Sequence, residues 1–188
     1  MIDVSSPWEH WRRFANNSPP IGYALRSRCK DAWVRFYSLP EGKRLPRDAS
    51  ELHQVLNRFN VVASILFGMG NQVAAWLTDY GGGGDELARD RWQKLPNIPE
   101  WVKTSADLQE KLALATVWHT NVKWIPGDFD ALLERAAYGA LGPLCIQSES
   151  AAFCPYDGGM DVFIKDDKSR RAIRELLREW ASNLESGL

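Results

Sequence analysis

Between Leu144 and Ile164 three short apolar runs follow one another with only a few residues between them. Leu144-Cys145-Ile146-Gln147 and Ala152-Phe153-Cys154 are separated by Ser148-Glu149-Ser150-Ala151. Met160-Asp161-Val162-Phe163-Ile164 follows after Asp157-Gly158-Gly159. Runs of this length, rich in β-branched and aromatic residues, predict strands. Connections this short can only join antiparallel neighbours, because a parallel crossover needs a dozen residues or more. The chain is therefore expected to be built on an antiparallel sheet.

The register of the first pair can be written from the sequence. A turn centred between Glu149 and Ser150 sets Ile146 opposite Phe153, Gln147 opposite Ala152 and Cys145 opposite Cys154. Opposed residues share a face with Cβ atoms about 4.5–5.5 Å apart, so the two sulfurs should be neighbours. Free thiols are expected all the same, since cross-strand bridges are strained. Asp157-Gly158 is a strong turn signal, because the turn needs a residue with positive φ. Pro155 fits an edge strand or the approach to a turn.

Other elements surround this core. Trp8, Trp11 and Phe14 recur at threes after Ser5-Ser6-Pro7 and predict a helix that stops near Asn16-Asn17. A short helix is expected over Ile21 to Cys29, and a strand over Trp33 to Ser38. Asp48-Ala49-Ser50 opens the clearest helix, with Leu52, Val55, Leu56, Phe59, Val62, Ile65 and Leu66 at helical spacing and Gly68 at its end. Val73–Leu77 and Val117–Trp124 read as strands, the latter with Trp118, Val122 and Trp124 on one face. Helices are expected over Thr104–Ala113, Phe129–Tyr138 and Lys168–Leu184, the last with Ile173, Leu176, Leu177, Trp180 and Leu184 as its apolar stripe. Four successive glycines, Gly81 to Gly84, open a polar excursion at about 81–104. The reading is one α+β domain over residues 1–188, a mostly antiparallel sheet with helices packed on one face.

Composition narrows the function classes. Twenty-three basic and 24 acidic residues give a net charge of -1, which provides no overall field for nucleic acid or an anionic membrane. No stretch approaches the roughly 20 apolar residues of a membrane helix, and no signal peptide is read at the N-terminus. Three cysteines, an odd and low number, fit a reducing, cytoplasmic setting. The nine tryptophans are spread along the chain and read as core and groove walls rather than a base-stacking platform.

Complete catalytic patterns are missing. His10, His53 and His119 have no metal-ligand spacing, no cysteine pair has Cys-x-x-Cys spacing, and the glycine run lacks the Lys-Ser/Thr ending of a phosphate loop. Neither a metal nor a cofactor is expected. Two carboxylates, Asp157 and Asp161, flank a tight glycine turn and are candidates, with Arg35, for carboxylate-dependent chemistry. Tyr156, Asp157, Gly158 and Gly159 at the turn, with Lys43 and Arg44, are candidates for binding.

Two segments resemble a bacterial family of unknown function. Trp33-Val34-Arg35-Phe36-Tyr37-Ser38-Leu39-Pro40 with Lys43-Arg44 is similar to its W-V-R-F-H-S-L-P and S-K-R pattern. Pro155-Tyr156-Asp157-Gly158-Gly159-Met160-Asp161 is similar to its P-Y-D-G-G-x-D pattern. Tyr37 stands where the pattern has His, and Gly42 where it has Ser. The resemblance implies a fold and a bacterial, cytoplasmic setting but no reaction. The leading expectation is a non-catalytic interaction protein, of partner or immunity type. The alternative is a small hydrolase or nuclease using the Asp157/Asp161 turn. A pocket gathering both acids with a His or Arg would favour the enzyme, and a flat apolar patch the interaction protein.

Overall fold

The computed structural model describes residues 7–80, 98–104 and 115–182. Seven strands, β1 (Trp33–Tyr37), β2 (Gln72–Asp79), β3 (Val102–Lys103), β4 (Thr116–Lys123), β5 (Leu144–Gln147), β6 (Ala151–Tyr156) and β7 (Gly159–Ile164), form one sheet in the order β1-β7-β6-β5-β2-β4-β3. Every pairing is antiparallel. Among the described residues there are five α-helices: α1 (Pro7–Ala15), α2 (Gly22–Arg28), α3 (Ala49–Phe67), α4 (Asp130–Ala137) and α5 (Asp167–Leu176). The class is α+β, as the sequence implies.

The hairpin register is the one written from the sequence: Ile146 opposes Phe153 and Gln147 opposes Ala152. The sulfurs of Cys145 and Cys154 lie 2.9 Å apart as thiols. Pro155 does not mark an edge. β6 is an interior strand, and Pro155 is tolerated because the β5–β6 ladder has ended before it.

The two faces of the sheet follow the two-residue alternation of the strands. Val34, Phe36, Val73, Ala75, Leu77, Ile146, Phe153, Met160 and Val162 point to one face and form the main core with α3, α4 and α5. On α3, the Asp48 side chain accepts from the Glu51 amide at 2.9 Å, and Gly68 ends the helix at φ 72°. The stripe Val55, Phe59, Val62, Ala63 and Phe67 is buried, whereas Ile65 is exposed.

The expectation of helices on one face holds for α3, α4 and α5 and not for α1 and α2. Trp11, Phe14, Ala15 and Leu25 pack on the opposite face against Trp76, Cys145, Ala152, Cys154 and Phe163. Trp11 lies 5.6 Å from the Trp76 ring, and its indole N–H donates to Ser18 O at 2.7 Å. The reason is visible in β5, β6 and β7, whose residues are buried on both faces almost without exception.

The C-terminal helix is shorter than its apolar pattern implies. α5 stops at Leu176, which is exposed, while Ile173 and Leu177 are buried. The chain then runs beside β1. The Tyr37 amide donates to Trp180 O at 2.7 Å and the Ser182 amide to Arg35 O at 3.1 Å. This segment supplies partners that the open edge of β1 otherwise lacks. Trp180 is half-buried, with the Arg58 guanidinium 4.8 Å from its ring.

Part of the expected excursion belongs to the fold. Ile98 and Trp101 are buried, and Val102–Lys103 pairs with β4. Residues 81–97 lie outside the described residues, as do the expected helix beyond Thr104 and Leu184. Thr104 itself bonds Val117 O through its amide.

Candidate functional site

The site is on the face covered by α1 and α2. Alternation along β1 turns Trp33, Arg35 and Tyr37 to this face, and alternation along β6 turns Cys154 and Tyr156 the same way. β7 contributes Asp161, placed opposite Arg35 on one neighbour and Cys154 on the other. Asp161 is therefore an acid in the middle of an apolar sheet face, and it is fully buried. A buried carboxylate is stable only when it is paired and hydrogen-bonded.

α2 supplies part of that pairing. Its first residue is Gly22, where a Cβ would come within 3.1 Å of Cys154 Cβ and 3.2 Å of Asp161 Oδ2. The missing side chain lets α2 lie against the sheet, which brings Arg26 over β7. Arg26 Nε donates to Asp161 Oδ2 at 2.7 Å. Trp33 Nε1 donates to Oδ1 at 2.9 Å, and Arg35 Nε reaches the same oxygen at 3.4 Å. Both guanidinium groups lie over two rings, 5.5 Å and 5.5 Å from Trp33 and 5.5 Å and 5.4 Å from Tyr156 for Arg26 and Arg35 respectively. One carboxylate thus holds two stacked guanidiniums.

The neighbouring ionisable groups are kept neutral. Burial, reinforced by the charge of Asp161, holds the Tyr156 hydroxyl well above the ordinary tyrosine range. Burial first, then the hydrogen bond with Cys145, pushes the Cys154 thiol up. Neither is poised to be a base or a nucleophile near neutral pH.

Asp157 takes a separate role. It occupies the two-residue loop between Tyr156 and Gly159, where Gly158 has φ 96°. Its Oδ2 accepts from Arg44 Nε at 2.5 Å. Arg44 is three-quarters exposed and packs against Gly158. Gly159 lets β7 approach β1, since a Cβ there would lie 2.5 Å from Phe36 O.

Asp157 and Asp161 line one cleft of about 380 Å³, with Arg26 and Arg44. Tyr23 stands at the same cleft, largely exposed, with its hydroxyl 2.9 Å from that of Tyr80. Of the residues singled out from sequence, Asp161, Arg35 and Tyr156 come together, and Asp157 and Arg44 pair at the turn. Lys43 points elsewhere, to an ion pair with Glu51. The sequence reading missed Arg26 and Trp33, and it did not place Cys154 opposite Asp161. Strand alternation offered a signal for Trp33, which is two residues from Arg35. Arg26 had none, because only packing brings α2 to β7.

The arginines share one geometry. Arg26, Arg35 and Arg44 each bond a carboxylate through Nε, and their Nη groups donate to no described residue. Among the described residues, three guanidiniums at the site are paired with two carboxylates. Among the described residues no three His, Cys, Asp or Glu side chains are placed to hold a metal ion.

The two positions that depart from the W-V-R-F-H-S-L-P pattern touch each other. Gly42 has φ 69°, and a Cβ there would lie 3.3 Å from the Tyr37 ring. The glycine leaves room for the larger aromatic side chain.

A family model described as a domain of unknown function (DUF3885) matches residues 21–185. The match takes in every residue of the site and begins after α1. No curated protein and no solved structure matches the chain.

Proposed function

We propose, for a chain that belongs to the DUF3885 family of unknown function, that it is a non-catalytic interaction protein of the bacterial cytoplasm, of partner or immunity type, recognising a protein through the Arg26/Arg44 cleft. One observation carries this reading. The two acids that sequence offers as catalytic groups are already engaged, each accepting from an arginine Nε. A general base needs a free lone pair within reach of a substrate proton. Asp161 is fully buried under three donors. Tyr23 and Tyr80 present exposed aromatic surface near two arginines, and Tyr and Arg are enriched in protein interfaces. Three thiols without a bridge fit a reducing compartment, and no described helix is long and apolar enough to cross a membrane.

The second reading, a carboxylate-dependent hydrolase or nuclease using Asp157, Asp161 and Arg35, is favoured by the presence of both acids in one cleft with arginines. The two readings separate in one experiment. A photo-crosslinking amino acid at Tyr23, in the native cell, is expected to give a discrete protein adduct. The same group at the exposed Met69, away from the cleft, should give none. Absence of an adduct from Tyr23, together with turnover of an ester or phosphodiester substrate that Asp157→Asn abolishes, would replace the interaction reading with the enzymatic one.

A further inference from the structure

We propose that the cleft binds a carboxylate group through the free Nη groups of Arg26 and Arg44, and that this carboxylate is an acidic side chain of the partner. The inference rests on the recognition reading above and adds the chemistry that would be recognised.

Three observations support it. First, the arginines are oriented but not saturated. Their Nε atoms are fixed by Asp161 and Asp157, which leaves the terminal amino groups as donors for an incoming oxyanion. Arg is the side chain whose planar fork matches a carboxylate. Second, among the described residues the charge at the site is mismatched by one. The buried pair Arg26 and Arg35 faces a single carboxylate, and Arg44 is neutralised by Asp157. A singly charged anion completes the balance. A phosphate dianion would overshoot it and would meet the repulsion of the two resident carboxylates at double strength. Third, the walls favour the interaction. Arg26 is about four-fifths buried beside neutral Tyr156 and Cys154, so its charge is poorly screened by water.

The test is calorimetric titration of the full chain with a capped hexaglutamate peptide. The comparison probes are an uncharged peptide with a free C-terminal carboxylate, inorganic phosphate and a thymidine dodecamer. Saturable binding of hexaglutamate is expected, tighter than that of the other three probes and weakening with salt. Arg44→Gln, an exposed position, should reduce the affinity about tenfold or more, as for a lost charge-assisted hydrogen bond. Arg171→Gln, on exposed α5, should leave it unchanged. Arg26→Gln is a second variant, valid when its thermal midpoint is close to wild type. Equal loss in Arg44→Gln and Arg171→Gln, failure of hexaglutamate to bind, or tighter binding of phosphate or the oligonucleotide would each overturn the proposal. Preference for the free C-terminal peptide would overturn the side-chain assignment. If these titrations fail while the Tyr23 adduct persists, the carboxylate anchor falls and the recognition reading stands. If both fail, both fall.

Discussion

Asp161→Asn tests the site as a piece of physical chemistry before any ligand is known. The change keeps the size of the side chain and removes its charge. Asp161 is fully buried, and its partner Arg35 is only 8% exposed. The neutral amide cannot compensate two guanidiniums, and its NH2 group would face donors. Arg26, 21% exposed, can turn towards water, but Arg35 is held between the Trp33 and Tyr156 rings. Removing one partner of a buried pair costs about 3–5 kcal/mol, because the other charge is left buried. With an m-value of about 2–3 kcal/mol/M, the urea midpoint should fall by about 1–2.5 M. The thermal midpoint should fall by roughly 6–20 °C for a domain of this size. Arg35→Met in the Asp161→Asn background should recover part of the loss, since it removes the orphaned charge; a double-mutant cycle measures that coupling. An Asp161→Asn midpoint within about 0.3 M of wild type would refute the argument. It would mean that the carboxylate is not the counter-ion of this cluster.

Two further outcomes follow from groups held away from their ordinary protonation. His119 packs on the Trp76 ring at 5.3 Å, and burial lowers its pKa. The unfolded chain then binds the proton more readily, so this contribution to stability is present above about pH 6.5 and lost as the pH falls. Urea midpoints at pH 7.5 and 5.5 should differ more for wild type than for His119→Gln; an unchanged difference would show that another group is responsible. Cys145 and Cys154 are buried, Cys154 with its thiol pushed up, while Cys29 is only half-buried. A thiol reagent should therefore modify one cysteine in the native protein and three in denaturant; rapid modification of Cys154 in the folded chain would contradict the packing.

The sheet was legible where connections are short. Between Leu144 and Ile164 the turns leave one antiparallel solution, and summing residue numbers across the first turn gives the register found. The side of the sheet that helices cover was also written in the sequence, though less openly. Met160 to Ile164 does not alternate apolar with polar beyond Asp161, which is how a strand buried on both faces reads. α1 and α2 fill the second face. The end of α5 was not legible, because Leu176, Leu177 and Trp180 continue a helical pattern while the edge of β1 claims the backbone of residues 180–182. Local periodicity carries no record of that competition.

The site was half legible for a related reason. Asp161 and Arg35 stand out because charged residues are unusual among such apolar neighbours, and strand pairing then makes them meet. Arg26 reaches Asp161 only because Gly22 removes the side chain that would hold α2 off the sheet. A glycine contributes no periodic signal, so its consequence appears only when the packing is known. The arrangement also bears on purpose. Buried ion pairs replaced by well-packed apolar residues are often neutral or more stable. The two apolar cores already cover both faces, and the Trp33 and Tyr156 rings would pack as well against an aliphatic group. The distinctive product of Asp161 is therefore geometry: it fixes the Nε of two guanidiniums and leaves their Nη groups uncommitted. Lysine at either position would supply the charge without the second, oriented set of donors. What the fold gains from burying this acid is an Arg26 held in place at the wall of an open cleft, with Arg35 braced behind it.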